Sequence, residues 1–290
     1  MAGTVTVALL GTGLLGAAIG QRLLEQGLGV QAWNRSPERL GALAALGAIG
    51  CREPQQALEG CDWVITVLSD GAATRSVLQR CDLQDQRVLQ MGTIAPAESR
   101  ELGTVIGAAG GDYLEVPVLG SRPEALSGSL QVMAAGPAAL FEQALPLLKR
   151  LDPEPRLLGP LGAALETKLA LNQLIASLTH AFSLSLHLVQ SSGVEVEHFM
   201  ELLRGSALYA PTFDKKLPRL LADNYDQPNF PTAHLRKDLL LFLAAARQRG
   251  LDTRGLRGLA ELLSAAEGSA IDGLDYSALH RLTAKTAAWS

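Results

Sequence analysis

The sequence predicts an α/β first half built on a doubly wound, mostly parallel sheet, and an all-α second half joined to it by a long helix. Three observations carry this expectation. Short β-branched runs alternate with helix-period segments in the first half, a cluster of chain breakers follows, and beyond that cluster helical periodicity continues with no strand-like run.

The first run, Thr4 to Leu10, is apolar and leads straight into Gly11-Thr12-Gly13-Leu14-Leu15-Gly16, where a helix-like stretch begins. Glycines at this spacing after a strand suit a dinucleotide pyrophosphate. Gly11 permits a tight turn, Gly13 lets the backbone approach the phosphates, and Gly16 allows close packing of a helix whose N-terminal N–H groups face the anion. A lone motif of this kind is weak, and its strand-to-helix position is the supporting context. The next run, Val30 to Trp33, ends at Asn34-Arg35-Ser36, where NAD binders place an acidic residue on the adenosine ribose. A carboxylate would repel a 2′-phosphate, whereas an amide, a guanidinium and a hydroxyl are donors to it, so NADP(H) is expected. Ser36 and Pro37 also read as the N-cap and first turn of a helix that Gly47 ends.

Trp63 to Leu68, Arg87 to Met91, Asp112 to Val116 and Leu130 to Ala134 read as further strands. Between the last two, Val116-Pro117-Val118-Leu119-Gly120-Ser121 reads as a glycine turn whose N–H groups suit a small carboxylate, or as a plain loop. Pro153, Pro155, Gly159, Pro160 and Gly162 are the clearest breaker cluster, and the expected domains are 1–160 and 161–290. Ala163 to about Ser192 runs without Pro or Gly and Gly193 supplies a stop, so one long helix is expected to connect the domains and to carry an intersubunit face. The remainder, through Arg281, reads as helical, with an apolar surplus suited to a dimer.

Composition narrows the function classes. With 290 residues the chain is long enough for two domains, and a net charge of −4 without a basic run argues against a nucleic-acid surface. Cys51, Cys61 and Cys81 lack metal-ligand spacing and read as reduced thiols, which suits a cytoplasmic protein. No signal peptide is apparent, and the longest strongly apolar stretch, Leu239 to Ala246, is shorter than a bilayer span of about 20 residues, so no membrane partner is expected.

Lys168 and Asn172 lie four apart on the long helix, hence on one face. A lysine near a domain boundary is suited to act as a general acid when partly desolvated, and Asn172 to orient it or bind a substrate oxygen. By spacing alone, an exposed lysine is the commoner reading. Lys237-Asp238, after Phe230-Pro231 and before an apolar run, reads on its own as a solvated helix end. His180 and His187 share a helix face but lack a third ligand, so core or interface packing is preferred over a metal site; His198, His234 and His280 read as isolated.

Taken in order, Gly11 to Gly16, Trp33-Asn34-Arg35, Leu68-Ser69-Asp70, Gly92-Thr93, Val118 to Ser121, Lys168 with Asn172, Phe230-Pro231 and Lys237-Asp238 resemble the β-hydroxyacid dehydrogenase family, related to 3-hydroxyisobutyrate dehydrogenases, and within it the glyoxylate and succinic semialdehyde reductase branch. The resemblance covers nearly the whole chain, and it is the ordered set that is specific. It implies a Rossmann-type domain, a long linking helix and an all-helical domain in a homodimer. It implies further that Lys168 is the catalytic acid, with Asn172 beside it, and that Leu68, Ser69, Thr93 and Lys237 join the glycine loop at the cofactor. Leu119, Gly120, Ser121, Phe230 and Asp238 then form the substrate pocket. The implied activity is NADPH-dependent reduction of a small aldehyde or 2-keto acid, glyoxylate or succinic semialdehyde, or the reverse oxidation of a β-hydroxyacid, with no metal. One departure stands out: Leu119 occupies a position where the family usually carries a serine, and a leucine cannot donate to a carboxylate. Imine reduction is the alternative chemistry, and a non-catalytic NADP-binding interaction module the alternative class. The retained Lys168 argues against both.

Overall fold

The structure, a computed structural model, describes residues 5–284; Thr4, read as part of the first strand, lies outside them. The first half comprises β1 (Thr6–Leu10), α1 (Leu14–Glu25), β2 (Gly29–Trp33), α2 (Gly41–Ala45), β3 (Ile49–Gly50), α3 (Pro54–Leu58), β4 (Trp63–Thr66), α4 (Gly71–Leu78), β5 (Arg87–Gln90), α5 (Pro96–Ala108) and β6 (Asp112–Glu115). These strands form one parallel sheet in the order β3-β2-β1-β4-β5-β6. The order reverses at β1, so a crevice opens where the loops after β1 and β4 diverge, the usual seat of a dinucleotide in a Rossmann-type sheet.

Both faces of this sheet are covered, which explains why β1 reads as an unbroken apolar run. Val7 and Leu9 enter one core cluster with Ile19, Leu89 and Leu114, while Ala8 and Leu10 enter another with Val64, Val88 and Ile106. These four β1 residues are fully buried.

The chain continues with β7 (Val118–Leu119), α6 (Arg122–Ser127), β8 (Gln131–Ala134), α7 (Ala138–Leu148) and β9 (Arg156–Leu157). These three strands form a second sheet, β7 antiparallel and β9 parallel to the central β8. Of its members only β8 is legible in the sequence. β3, β7 and β9 are two-residue strands, too short for any period-two pattern, and are set by their neighbours.

The second half is α8 (Ala163–Ser191), α9 (Val196–Arg204), α10 (Pro211–Leu221), α11 (Thr232–Gln248), α12 (Arg257–Ala265) and α13 (Leu279–Thr283). The chain divides into compact units 1–168 and 169–290, so the division falls inside α8 rather than at residue 160. Glu115 at the end of β6 accounts for the difference. It is fully buried and accepts the N–H groups of Gly162 and Leu165 at 2.8 and 2.6 Å and the Ser99 hydroxyl at 2.7 Å, tying the first turn of α8 into the first unit. Desolvation pushes its carboxyl up from the usual range, against the pull of those hydrogen bonds.

Among the described residues α8 is also the one helix long and apolar enough, by length and composition, to cross a bilayer. Counting contiguous apolar residues misses it, because polar residues interrupt the run at every turn. Here its buried residues serve the cores of the units: Leu165 in the first, and Ala176, Phe182 and Leu186 in the second.

Candidate functional site

Sheet register brings the predicted nucleotide-binding residues of the first unit, all but Lys237, to one edge. Leu10 pairs with Trp33 and with Thr66, and Thr66 with Gln90, so the loops after β1, β2, β4 and β5 leave the sheet at one level. Gly11 has φ +101°, a conformation open to glycine, and a Cβ there would lie 2.4 Å from the Val67 carbonyl oxygen. A Cβ on Gly16 would lie 2.1 Å from the Gly11 carbonyl oxygen, so the close contact it permits is of helix on its own loop rather than on the strand. Gly13, the N-cap of α1, has nothing within 4 Å of its Cβ position. The loop therefore leaves open space beside the N–H groups that begin α1, and this cradle fits a pyrophosphate.

Asn34 has a structural role that the spacing does not announce. Its Oδ1 accepts the Thr12 N–H at 3.1 Å and its Nδ2 donates to the Ser36 carbonyl at 3.0 Å, so both ends of the amide brace the two loops. Arg35 is exposed, as is Arg39 in the following turn. Ser36 precedes a 3-10 turn, Pro37–Leu40, without capping it by its side chain. That turn leads into the short α2.

After β4, Leu68 is half-buried and the Ser69 hydroxyl donates to Asp70 at 2.8 Å, while Asp70 caps α4 by accepting the Ala73 N–H at 2.7 Å. Gly92 packs on this loop, since a Cβ there would lie 2.7 Å from the Leu68 carbonyl oxygen, and Thr93 follows, half-buried. The shape of this turn comes from Gln90, a residue outside the expected site. Its buried amide binds both the N–H and the carbonyl of Gly92, at 2.5 and 3.0 Å, and takes the Thr66 hydroxyl at 3.2 Å. The available signal was an amide at the end of an apolar strand.

The segment read as an anion-binding turn is partly committed elsewhere. Val118 and Leu119 pair with Val132 and Gln131, so they are strand rather than loop. The Ser121 N–H and hydroxyl both donate to Glu124, each at 2.8 Å, in the capping box that opens α6. Leu119 offers no polar group and Ser121 has spent its donors on a carboxylate.

Lys168 and Asn172 belong to the buried stripe of α8, with 8% and 1% exposure, so the exposed-lysine reading does not hold. Asn172 Nδ2 lies 2.5 Å from Asp238 Oδ2, and Lys237 Nζ lies 2.9 Å from Asp238 Oδ1. The Lys237–Asp238 pair is not a solvated helix end. It sits in the second turn of α11, which begins at Thr232, and Asp238 is buried. Phe230 packs half-buried beside the α11 core, 5.8 Å from Tyr276 and 6.2 Å from His234 between ring centroids.

Other candidates resolve into structural roles. His280 is not isolated: it stacks on His187 at 3.9 Å, and His187 Nε2 lies 3.0 Å from its carbonyl oxygen. The three cysteines are free thiols, and burial pushes those of Cys61 and Cys81 up to about 11, far from a reactive thiolate.

Comparison with known proteins bears on this geometry. Residues 6–153 match a family profile described as the NAD binding domain of 6-phosphogluconate dehydrogenase, and residues 162–283 match one described as NAD-binding of NADP-dependent 3-hydroxyisobutyrate dehydrogenase. The chain is similar, at 31% identity over 281 residues covering 94% of it and 96% of the relative, to glyoxylate/succinic semialdehyde reductase 1 of Arabidopsis thaliana. Among solved structures, 3-hydroxyisobutyrate dehydrogenase of Mycobacterium tuberculosis with L-serine has a TM-score of 0.86 at 23% identity, over 96% of this chain and 99% of that one. An imine reductase from Pseudomonas sp. has a TM-score of 0.66 at 22% identity, over 97% and 100%. The two structures share the fold.

Proposed function

The chain belongs to the β-hydroxyacid dehydrogenase family, and from that premise we propose that it is an NADPH-dependent reductase of a small aldehyde or 2-keto acid, with glyoxylate and succinic semialdehyde the first substrates to test. At the coarser level it is an NAD(P)-dependent oxidoreductase acting on a CH–OH group. The observation that carries the proposal is Lys168 on the buried stripe of α8, one turn before Asn172. When bound, the nicotinamide supplies the hydride. The Lys168 ammonium gives a proton to the carbonyl oxygen as negative charge develops there, and in the reverse direction the neutral amine takes it from the alcohol. Preference for NADPH is supported by the absence of an acidic residue in Asn34-Arg35-Ser36 and by the exposed Arg35 guanidinium. A homodimer is part of the proposal, supported by Leu184 and Leu188, one turn apart and exposed on α8, and by Leu202, which is 77% exposed on α9.

Rates of NADPH consumption with glyoxylate, succinic semialdehyde and a cyclic imine, with NADH as control, test this reading. Reduction of an aldehyde or keto acid faster with NADPH supports it, whereas equal rates with both cofactors remove the argument from Asn34-Arg35-Ser36. Lys168→Ala is expected to lower kcat by roughly a thousandfold and to leave NADPH binding, followed by fluorescence, unchanged within about threefold. Full activity in that variant removes the assigned proton donor. Leu119 is the feature that favours imine reduction as a second activity, since a pocket poor in donors accepts an uncharged substrate; preferential turnover of the imine decides for it.

A further inference from the structure

Asn172 and Asp238 are almost wholly buried, and both belong to the 169–290 unit. Asp238 Oδ2 lies 2.5 Å from the Asn172 side-chain amide. A carboxylate has no proton to give, so the amide end that faces it must be the NH2. The orientation of Asn172 is thus set by the chemistry of its partner. Lys237 holds the other carboxylate oxygen at 2.9 Å, as an ion pair rather than an aligned hydrogen bond, which restrains Asp238 from turning away. Of the two acceptors here that lack a hydrogen bond, Asp238 Oδ1 keeps its ion pair and Asn172 Oδ1 is left over. Asn172 Oδ1 is buried and without a hydrogen-bond partner among the described residues, and a buried acceptor of this kind calls for an explanation.

We infer that Asp238 is a positioning residue that acts through Asn172, fixing its amide so that the carbonyl oxygen is presented as the acceptor for the group that carries the reacting proton. The partner chemistry is an N–H or O–H donor, a protonated amine or a substrate hydroxyl, and not a carboxylate. This rests on the reading that Lys168, one turn earlier on the same buried stripe, moves that proton. Resemblance alone placed Asp238 in the substrate pocket. The hydrogen bond to Asn172 and the ion pair to Lys237 give each of its oxygens a partner within the unit.

The test compares Asp238→Ala, the isosteric Asp238→Asn, Asn172→Asp and the reciprocal double variant Asn172→Asp/Asp238→Asn in the full chain. Asp238→Asn keeps a carbonyl oxygen able to accept from Asn172, whereas Asp238→Ala leaves nothing to hold the amide. In the double variant the hydrogen bond is restored with donor and acceptor exchanged, and residue 172 again has a spare acceptor oxygen. Asn172→Asp alone sets two carboxylates against each other. For Asp238→Ala we expect kcat to fall about thirtyfold or more with KM within about threefold, Asp238→Asn to be at least about tenfold more active than Asp238→Ala, and the double variant to recover at least about tenfold over Asn172→Asp. Isotope-edited NMR gives a readout independent of turnover: hydrogen exchange of the Asn172 side-chain amide is expected to be at least about tenfold slower in the wild type than in Asp238→Ala.

An unchanged kcat in Asp238→Ala overturns the inference, as does a double variant no better than Asn172→Asp. A rise in KM alone overturns it in favour of direct substrate contact, and equal losses in Asp238→Ala and Asp238→Asn overturn it in favour of the Lys237 ion pair. Should the wild type reduce no carbonyl substrate, the proposed function fails, and amide exchange still decides whether Asp238 orients Asn172.

Discussion

Residues of one type do different work here according to what surrounds them, and the glycines of the first loop show it. A methyl group on Gly16 meets the Gly11 carbonyl at 2.1 Å, whereas on Gly13 it meets no protein atom within 4 Å. Gly13→Ala is therefore expected to fold with an unchanged Tm and to bind NADPH roughly tenfold or more weakly, because the methyl occupies the phosphate cradle. Gly16→Ala is expected to lower Tm itself. Thermal melts paired with cofactor titration separate the two, and equal loss of Tm in both variants contradicts the assignment. His280 shows the same dependence on surroundings. Burial, and then the neighbouring His187, hold its imidazole well below the ordinary 6.5, at about 4. A lowered histidine pKa means that the unfolded chain binds the extra proton first. Its stabilising contribution, about 3 kcal/mol from a shift of that size, is full above the ordinary pKa and is lost as pH falls from 6.5 toward about 4. His280→Phe, which keeps a ring against His187, is expected to remove close to one proton from the pH slope of urea unfolding in that window. An unchanged slope rules His280 out as its source.

At the scale of elements, buried polar groups at strand ends decide where the next segment goes. Glu115 closes β6 and receives the first turn of α8, and Gln90 closes β5 and shapes the Gly92–Thr93 turn. Both strands are legible in the sequence and neither role is, because a single polar residue closing an apolar run carries no spacing that names its partner. The turn after β7 holds the reverse lesson. The capping box of α6 takes the Ser121 donors, so the segment is poorer in donors than its glycine and serine suggest. Leu119→Ser is expected to raise kcat/KM for glyoxylate about tenfold or more, the worth of a charge-assisted hydrogen bond of roughly 1.5–3 kcal/mol, with little change for an uncharged aldehyde. A gain equal for both substrates separates this loop from carboxylate recognition.

For the molecule as a whole, the parallel sheet gathers residues from four separate loops at one edge of the first unit, so cofactor contact is expected there as a set. Hydrogen exchange followed by mass spectrometry at saturating NADPH is expected to slow in peptides covering residues 11–16, 34–36, 68–69 and 92–93, and to stay unchanged in α12. Protection confined to one of those loops contradicts the sheet-edge site. By itself the sequence determined the fold class, the six-residue glycine loop and the long helix bearing Lys168 and Asn172, because each is written as a local period or spacing. Tertiary structure alone decided that Asn34 is a brace, that Ser121 serves Glu124, and that Asp238 faces Asn172 across 66 positions of chain. Hydrogen bonds between side chains are specified by where the packed backbone puts them, and no local pattern encodes that meeting.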